Sequence, residues 1–539
     1  MEVASAVSQI AHVLAGLAIG FGVMVAYRWI ERRSYVLGAI IAAGILTRIG
    51  LGLALFWISY LRLPIFESLQ AGNGFWELAV DARNYYNYAT AAIASGSFGF
   101  NPLAPSPLFV WILTLWMLVI GVTPAAAMFL NLCLYLALAV VIIRIYAPLN
   151  DWRRDLPCIV LVGAYSFSPV ILIHSTQPLK DEMFNVFLAT ACLGVLAMRR
   201  LVRPPATRRE HWLTMAGAVA VAVAIFGAAG IRWYYGFIIW CALALLLAIF
   251  AIRGRRMPLP RYLAGSLAVL LVAWVGFWAG AGRYYFLAAE LTSAERLMNI
   301  TQLARIGFLT SGGATNIVVP FREDANAGKE RYEELLEESR RFEGAQERVA
   351  AEQAYLDEHS GSPARPAAPG APPEARAAPR AAPTAPSPST RPEVDPSVAP
   401  SARAMPITMR EHVIAAASGL GVVFVPISLL QGISEVEIEG GRGLLSIVDI
   451  DTVILDIASL LVVGLLWKRR DIIGDRLPFV VFGLILAVTS AFLVGYVVTN
   501  LGTLWRLRSL IVVPLWILAV ALSPRPEAPR AASPSASRS

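Results

Sequence analysis

The stretch WLTMAGAVAVAVAIFGAAGIRWYYGFIIWCALALLLAIFAI, residues 212–252, has a single charged residue, Arg232, between two long apolar runs. Each run is close to the length of about 20 apolar residues that a helix needs to cross a bilayer core. Backbone polar groups inside a bilayer must bond within their own segment, which in so apolar a chain means helices. We therefore predict that this stretch forms two transmembrane helices.

The rest of the chain repeats this pattern. Its 539 residues are 57% hydrophobic and only 15% charged, whereas globular domains are about 25% charged. The other clear apolar runs are 5–27, 34–60, 124–148, 157–173, 183–199, 263–281, 451–467, 477–498 and 508–522, and two less certain runs are 105–122 and 410–430. The predicted fold class is an all-α polytopic membrane protein with 11 to 13 transmembrane or re-entrant helices, and a soluble fold is excluded.

The net charge of +8 is concentrated in short loops between the apolar runs. These loops contain Arg28, Arg32 and Arg33; Arg153 and Arg154; Arg199, Arg200, Arg203, Arg208 and Arg209; Arg253, Arg255, Arg256 and Arg261; and Lys468, Arg469 and Arg470. Such loops are typically cytoplasmic, so the basic balance indicates topology and not nucleic-acid binding. If runs 105–122 and 410–430 do not cross the membrane, loops 61–104, 174–181, 283–450 and 499–507 share the outer side. We predict an integral protein of a bacterial inner membrane with its active site on the periplasmic or extracellular side.

Composition also divides the chain along its length. Residues 1–320 are predicted to form an N-terminal transmembrane module with outer-face loops, and residues 406–522 a C-terminal transmembrane bundle. Between them, residues 321–405 combine a polar acidic helix with an Ala/Pro-rich segment that cannot bury a core. Residues 523–539 are predicted to be a disordered cytoplasmic tail.

The sequence lacks several signatures of soluble chemistry. Its four cysteines, Cys133, Cys158, Cys192 and Cys241, all lie in apolar runs, so neither a disulfide framework nor a zinc site is indicated. No phosphate-binding glycine loop, metal-ligand cluster or Ser/His/Asp arrangement is present. The first run, 5–27, lacks a basic start and an obvious cleavage site, which favours an uncleaved helix.

The outer loop after the second run reads AVDARNYYNYATAAIASG, residues 79–96. Asp81 stands just beyond the membrane edge at the start of a short amphipathic helix lined by Tyr85, Tyr86 and Tyr88. One interpretation is an N-cap aspartate with a belt of interfacial aromatics. The other is a functional carboxylate, and the two are compatible because an N-cap carboxylate can also act as a base.

A second polar motif is HSTQPLKDEMFNVFLA, residues 174–189. Lys180, Asp181 and Glu182 fall where one helix ends at the outer face and the next begins. The acidic pair can simply match the helix dipole. Its density of charge in a short outer loop, on the same side as Asp81, also fits a binding or catalytic site.

A third motif is TNLGTLWRLRSLIVVP, residues 499–514. Arg506 and Arg508 lie on the outer side, against the positive-inside trend. Guanidinium groups pair well with phosphate, so this pair indicates a bound anion. The alternative is snorkelling toward lipid headgroups.

Three further residues are weaker candidates. Arg48 lies inside an apolar run, where a charge suggests function, although it can also pair structurally with Asp449, Asp451 or Asp456. Arg232 begins an aromatic cluster that resembles an interface belt. His174 is a lone histidine, which is more typical of a structural role.

The order of these motifs resembles the GT-C glycosyltransferases, particularly the branch of protein mannosyltransferases and lipid A aminoarabinose transferases. The shared features are DARNYYNYA (81–89), PSPLFVWILTLWMLVIGVTP (105–124), APLNDWRRDLP (147–157), SFSPVILI (166–173) and the acidic KDE (180–182). The resemblance covers about 120 residues, and the C-terminal half matches only through NLGTLWRLRS. This chain departs from the family in having two spans before the aspartate, PSP where the family usually has two adjacent prolines, and KDE where a single acid is usual.

The resemblance implies transfer of a sugar from a polyprenyl-phosphate carrier to a lipid, glycan or protein acceptor at the outer face. Phosphate is a good leaving group, so the acceptor hydroxyl mainly needs a base, and Asp81 is the expected base. Lys180, Arg506 and Arg508 are expected to bind the donor phosphate. Asp181, Glu182 and Tyr85 are expected to orient groups or bind the acceptor. Some relatives use a divalent metal, and the sequence leaves that open.

Three other functions remain as alternatives. A polysaccharide polymerase or ligase also uses outer-face arginines near a large loop, and its product would be a joined chain. A lipid flippase or transporter needs polar groups lining a path at the bilayer midplane, and these runs are too apolar for that. A non-catalytic scaffold would use the 321–405 insertion to recruit partners.

Overall fold

The computed structural model describes residues 2–101, 104, 106–198, 207–253, 258–282, 408–426, 441–468, 470–498 and 501–522, with a few isolated residues between 301 and 429. Two predicted segments lie outside the described residues. They are the insertion 321–405, apart from Glu333 and Glu337, and the tail 523–539.

The described chain is almost entirely helical. The N-terminal helices are α1 (Glu2–Glu31), α2 (Tyr35–Tyr60), α3 (Val80–Ser95), α4 (Pro107–Ile120), α5 (Pro124–Tyr146), α6 (Leu156–Phe167), α7 (Pro169–Ser175), α8 (Asp181–Met198), α9 (Arg208–Ile231), α10 (Trp233–Arg253) and α11 (Leu259–Ala281). The C-terminal helices are α12 (Met409–Phe424), α13 (Gly441–Lys468), α14 (Arg470–Val497), α15 (Leu501–Leu507) and α16 (Ser509–Leu522).

Eight helices in the described part of the chain are long and apolar enough to cross a membrane, or nine if the bent pair α6–α7 is one span. Large apolar side chains such as Leu17, Phe21 and Leu460 are about two-thirds exposed on the outside of the bundle, as lipid-facing residues are. The protein is therefore an all-α polytopic membrane protein. The predicted total of 11 to 13 segments stays a prediction.

The two uncertain runs form short helices. Helix α4 has 14 residues and α12 has 16, which is less than the about 20 residues needed to cross a bilayer core. Neither helix is long enough to cross the membrane alone. Their orientation in the membrane stays a prediction.

The predicted run 157–173 is not one straight helix. It is divided at Ser168 into α6 and α7, which are bent by 54°. Pro169 has no N–H and cannot continue the hydrogen-bond ladder of α6. Ser168 instead caps α7, accepting a hydrogen bond from the backbone N–H of Ile171. Helix α7 contacts α2 and α15.

The two ends of α2 differ in chemistry. At the start of α2, the backbone N–H of Tyr35 donates to Asn150 Oδ1 at 3.2 Å, so two of the basic loops meet at this end. At the other end, about 40 Å away for 26 helical residues, lies the loop that leads to α3 and Asp81. These two basic loops and the loop that leads to Asp81 are therefore at opposite ends of α2.

The loop between α2 and α3 contains a small β-hairpin, which no sequence pattern indicated. Strands β1 (Gln70–Gly72) and β2 (Phe75–Trp76) pair antiparallel around a turn with positive φ at Asn73 and Gly74. Ser59 of α2 donates to the carbonyl of Phe75 at 2.6 Å, and Trp76 Nε1 donates to the carbonyl of Leu55 at 3.1 Å. These bonds fix the hairpin on α2 and set where α3 begins.

The C-terminal helices pack against the N-terminal ones. Helix α16 contacts α5, α6 and α8, and α14 contacts α8 and α10. One hydrophobic cluster runs from Ile30 in α1 to Leu518 in α16. The two halves thus share a core, and this packing brings α15 to the N-terminal ends of α3 and α8.

Helices α8 and α9 cross so closely that substitution of Gly194 should destabilise the fold. A Cβ at Gly194 would lie 2.7 Å from the carbonyl oxygen of Gly217, so one backbone must move. We expect Gly194→Ala to cost about 1–3 kcal/mol, measured as a lower thermal unfolding temperature in detergent. Gly163→Ala is the matched control, because a Cβ there meets nothing within 4 Å. Equal unfolding temperatures for the two variants would contradict this packing.

Candidate functional site

Four separate segments of the chain meet in a network of alternating charge. Arg506 Nη2 lies 2.9 Å from Asp81 Oδ2, and Arg506 Nε lies 3.3 Å from Asp181 Oδ2. Arg232 Nη2 donates to the other oxygen of Asp181 at 2.5 Å. The order Asp81, Arg506, Asp181, Arg232 joins α3, α15, α8 and the junction of α9 with α10.

Asp81 is the exposed end of this network. It lies in the first turn of α3, whose N-cap is Ala79 with no side-chain hydrogen bond, so the interpretation of Asp81 as an N-cap is wrong. Its side chain is 44% exposed, whereas those of Arg506, Asp181 and Arg232 are 12%, 11% and 6% exposed. The carboxylate of Asp81 is accessible to solvent and paired with Arg506. It is therefore suited to exchange this arginine for another partner.

Asp181 holds the buried part of the network together. It is the first residue of α8, where a negative charge is favoured by the helix dipole. Its two oxygens bind two different arginines, so neither guanidinium is left without a counter-charge. The dipole-matching interpretation and a functional role therefore both fit this residue.

Lys180 adds a third cation beside the network. Its Nζ donates to Ser106 Oγ at 2.6 Å and lies 5.4 Å from the ring centroid of Tyr85. Burial, together with the positive charge of Arg232, lowers the pKa of Lys180 to about 7. Burial raises the pKa of Tyr85, so this phenol stays neutral and supports the ammonium with its ring.

A small pocket with a volume of about 20 Å³ lies beside Arg506 and Asp181. Its polar lining includes Glu182, Asn131, Asn185 and His174. Glu182 accepts a 2.5 Å hydrogen bond from the phenol of Tyr165, which also accepts from Asn185 Nδ2 at 3.2 Å. The predicted site residues Asp81, Tyr85, Lys180, Asp181, Glu182 and Arg506 thus all lie at the network or in the adjoining pocket.

Arg508 occupies a different environment from Arg506. It is 1% exposed, and its Nη1 lies 2.6 Å from Thr452 Oγ1 and 3.9 Å from Asp451 Oδ2. Its guanidinium therefore faces α13, whereas that of Arg506 faces Asp81 and Asp181. The structure therefore places Arg508 against α13 and away from the contacts of Arg506 with Asp81 and Asp181, and its predicted role in binding phosphate stays a prediction.

Arg48 does not use the acidic partners suggested for it. Its guanidinium donates to the carbonyls of Ser166 at 2.9 Å and Tyr165 at 3.3 Å, and it stacks 3.8 Å from the ring centroid of Tyr135. Asp451 instead accepts hydrogen bonds from Ser168 and from the backbone N–H of Val170. Arg48 thus stabilises the last turn of α6 before the break.

Four residues at the site are more prominent in the structure than in the sequence. Arg232 is buried and paired and not part of an exposed belt, and His174 lines the pocket. Asn131 and Asn185 lie within the apolar runs that form α5 and α8, and no sequence pattern marks them as functional. A signal was available for Arg232, because the predicted topology places this arginine on the outer side, against the positive-inside trend.

The carboxylates of this site do not fit a divalent metal ion. Asp81 and Asp181 both bind Arg506, whose charge would repel a dication between them. In the part of the chain that the structure describes, no group of three or more His, Cys, Asp or Glu side chains is arranged to hold a metal.

Comparison of the chain with protein-family models, curated proteins and solved structures found no match.

Proposed function

We propose that this protein is a GT-C-type membrane glycosyltransferase with 11 to 13 membrane segments in a bacterial inner membrane. It transfers a sugar from a polyprenyl-phosphate donor to a lipid, glycan or protein acceptor at the periplasmic side. The observation that carries this proposal is the alternation of exposed Asp81 with Arg506 and Asp181, next to Lys180 and a polar pocket.

The cations of the site are suited to a phosphodiester at the membrane surface. Arg506 and Lys180 come from different segments and both lie near Asp81. An incoming phosphate competes with Asp81 for Arg506, while Asp181 keeps the guanidinium in place from the other side. Binding the donor therefore releases the carboxylate of Asp81 at the moment when a base is needed.

The reaction then needs one proton transfer and one displacement. Asp81 accepts the proton of the acceptor hydroxyl as its oxygen bonds to the anomeric carbon of the sugar. The bond from that carbon to the phosphate oxygen breaks, and polyprenyl phosphate leaves with the electron pair. Arg506 and Lys180 stabilise the charge that develops on the phosphate. Tyr85 positions Lys180, and Glu182 faces the pocket that adjoins the reacting groups.

Donor binding should depend on pH because of Lys180. With a pKa of about 7, its amine carries a positive charge below that pH and loses it above. We expect the apparent KM for the lipid-linked donor to rise as the pH increases through about 7. Lys180→Arg stays charged over this range and should give a flatter profile. Identical KM profiles for the wild type and the variant would contradict a phosphate-binding role for Lys180.

Mass spectrometry of the lipids and glycans of a deletion strain tests the proposed function. We expect an acceptor that lacks one sugar to accumulate in the deletion strain. Returning the wild-type gene should restore the complete acceptor. The purified protein should then add that sugar from a polyprenyl-phosphate donor. A product joined from preassembled chains would identify a polymerase or ligase instead, and unchanged lipids and glycans would overturn the proposal.

A further inference from the structure

Ser106 has a backbone conformation that serines rarely adopt. Its φ and ψ angles are 55° and 65°, in the left-handed region, where a Cβ atom crowds the neighbouring backbone. It also precedes Pro107, and a residue before proline ordinarily takes an extended conformation. Strain of this kind persists only where the surrounding structure imposes it, and such strain is concentrated at functional sites. The conformation of Ser106 therefore needs a cause outside the local sequence.

The hydroxyl group of Ser106 does not have the role that its position suggests. Ser106 is the N-cap residue of α4, where a serine side chain ordinarily accepts a hydrogen bond from the backbone of the first turn. The structure shows no such side-chain bond at this cap. Its Oγ atom instead accepts a hydrogen bond from Lys180 Nζ at 2.6 Å, across 74 positions of sequence. The strained residue thus directs its hydroxyl group to the lysine and not to its own helix.

This serine is a feature of the chain and not of the family that the chain resembles. Ser106 stands between Pro105 and Pro107, where the family usually has two adjacent prolines. Proline has no hydroxyl group, and its ring holds φ near −65°, so it could not replace Ser106 in this contact. The transfer mechanism proposed above does not use the hydroxyl group, which leaves its contact with Lys180 to be explained.

The ammonium group of Lys180 lies in surroundings that disfavour its charge. Its pKa is lowered to about 7, first by burial and then by the positive charge of Arg232. The charged and titratable groups around it are Arg232, Arg506, Asp81, Asp181 and Tyr85. A hydroxyl oxygen accepts a stronger hydrogen bond from an ammonium group than from a neutral amine. Ser106 therefore stabilises the charged form of Lys180, the form that can bind phosphate.

We propose that Ser106 is a positioning residue that holds the ammonium group of Lys180 in place for the phosphate of the lipid-linked donor. This inference rests on the proposed function, because it assigns the ammonium group to the donor phosphate. A lysine has three N–H donors at the end of a long, flexible side chain. When one N–H is bound to Ser106, the directions of the other two are fixed, and these are the donors that a phosphate oxygen can accept.

The pH dependence of phosphodiester binding to the full chain in lipid nanodiscs tests the proposal. The probe is the methyl ester of polyprenyl phosphate, a phosphodiester whose single negative charge is constant across this pH range. Wild-type affinity should fall as the pH rises through about 7, because Lys180 then loses its charge. The midpoint of this fall measures how strongly the protein holds the proton on Lys180.

Ser106→Gly separates the hydroxyl group from the backbone conformation. Glycine adopts a positive φ without strain, so the variant should unfold at a temperature close to that of the wild type. The variant lacks the acceptor for Lys180, so the midpoint should move down by about one pH unit, the effect of losing a hydrogen bond to a charged group. A serine with a purely structural role would change the unfolding temperature or the overall affinity without moving the midpoint.

Two further variants show whether the shift belongs to Lys180. Lys180→Arg stays charged, so its binding should be almost independent of pH, with or without Ser106→Gly. Ser97→Gly, at an exposed position in the same loop, is the matched control and should keep the wild-type midpoint. An unchanged midpoint in Ser106→Gly overturns the inference, and so does a shift of the same size in the Lys180→Arg background.

The failures of the two proposals are distinguishable. If the wild type binds the phosphodiester equally at every pH, the phosphate-binding role of Lys180 in the proposed function fails, and the role of Ser106 fails with it. If wild-type binding depends on pH but Ser106→Gly leaves the midpoint unchanged, only the role of Ser106 fails. A shifted midpoint in a protein that transfers no sugar would contradict the glycosyltransferase and support the role of Ser106.

Discussion

Replacing Asp81 with asparagine is expected to lower the rate of sugar transfer by about 10²–10⁴-fold, the typical contribution of a positioned general base. Asparagine keeps the size of the side chain but cannot accept the proton of the acceptor hydroxyl. The fold should remain intact, because Asp81 is 44% exposed and Arg506 keeps Asp181 as its buried partner. The measurement is the initial rate of transfer to the identified acceptor, together with the unfolding temperature in detergent.

Glu77→Gln is the matched control for Asp81→Asn. Glu77 is an exposed acid in the same outer loop, just before α3, and it lies outside the charge network. Its neutralisation should leave the rate within about twofold of wild type, as most surface substitutions do. Near-wild-type transfer by Asp81→Asn would remove Asp81 from the mechanism and leave the network without its expected base.

That the site residues share one side could be predicted from the sequence. Arginine-rich loops have a strong preference for one side of a membrane, and counting spans from them assigns the remaining loops to the other side. This was enough to predict that Asp81, Lys180 and Arg506 lie on the same side. The structure places the three at one cluster, although Arg506 is separated from Asp81 by 425 positions in sequence.

The pairing within the cluster could not be predicted in the same way. Arg506 and Arg508 are almost equivalent in sequence, yet one binds Asp81 and Asp181 while the other is buried against Asp451. Which guanidinium faces which acid depends on the rotation of a short helix and on packing against helices distant in sequence. Local patterns contain no information about that rotation.

The same limit applies to the break between α6 and α7. The Ser-Pro pair indicates that a helix ends there. It does not reveal that Asp451, 283 positions away, receives the hydrogen bond of Ser168 and stabilises the start of α7. The positions of Asn131 and Asn185 in the site could not be predicted for a related reason. The sequence does not show which side chains surround a polar residue in an apolar run.

Replacing Asp181 with alanine is expected to destabilise the protein by about 3–5 kcal/mol, the cost of removing one partner from a buried ion pair. The change leaves Arg232 without its 2.5 Å partner and Arg506 with only the exposed Asp81. The buried guanidinium of Arg232 then lacks a counter-charge, and that of Arg506 keeps only the partly exposed one of Asp81. The free energy of unfolding, measured by denaturant titration in mixed micelles, gives the loss directly. Donor binding should weaken as well, because Arg506 is no longer held in position.

Asp151→Ala is the control, because it removes an exposed ion pair and Asp181→Ala removes a buried one. Asp151 lies 3.5 Å from Arg154, but both side chains are about half exposed, and such pairs contribute about 0–1 kcal/mol. Asp181→Asn removes the charge of the side chain but keeps its shape. The amide oxygen can still accept a hydrogen bond from one arginine, while the other arginine loses its counter-charge. We expect its stability to fall between those of Asp181→Ala and the wild type. If Asp181→Ala is no less stable than Asp151→Ala, the arginines do not depend on Asp181, and the buried network cannot be what holds Arg506 ready for an incoming phosphate.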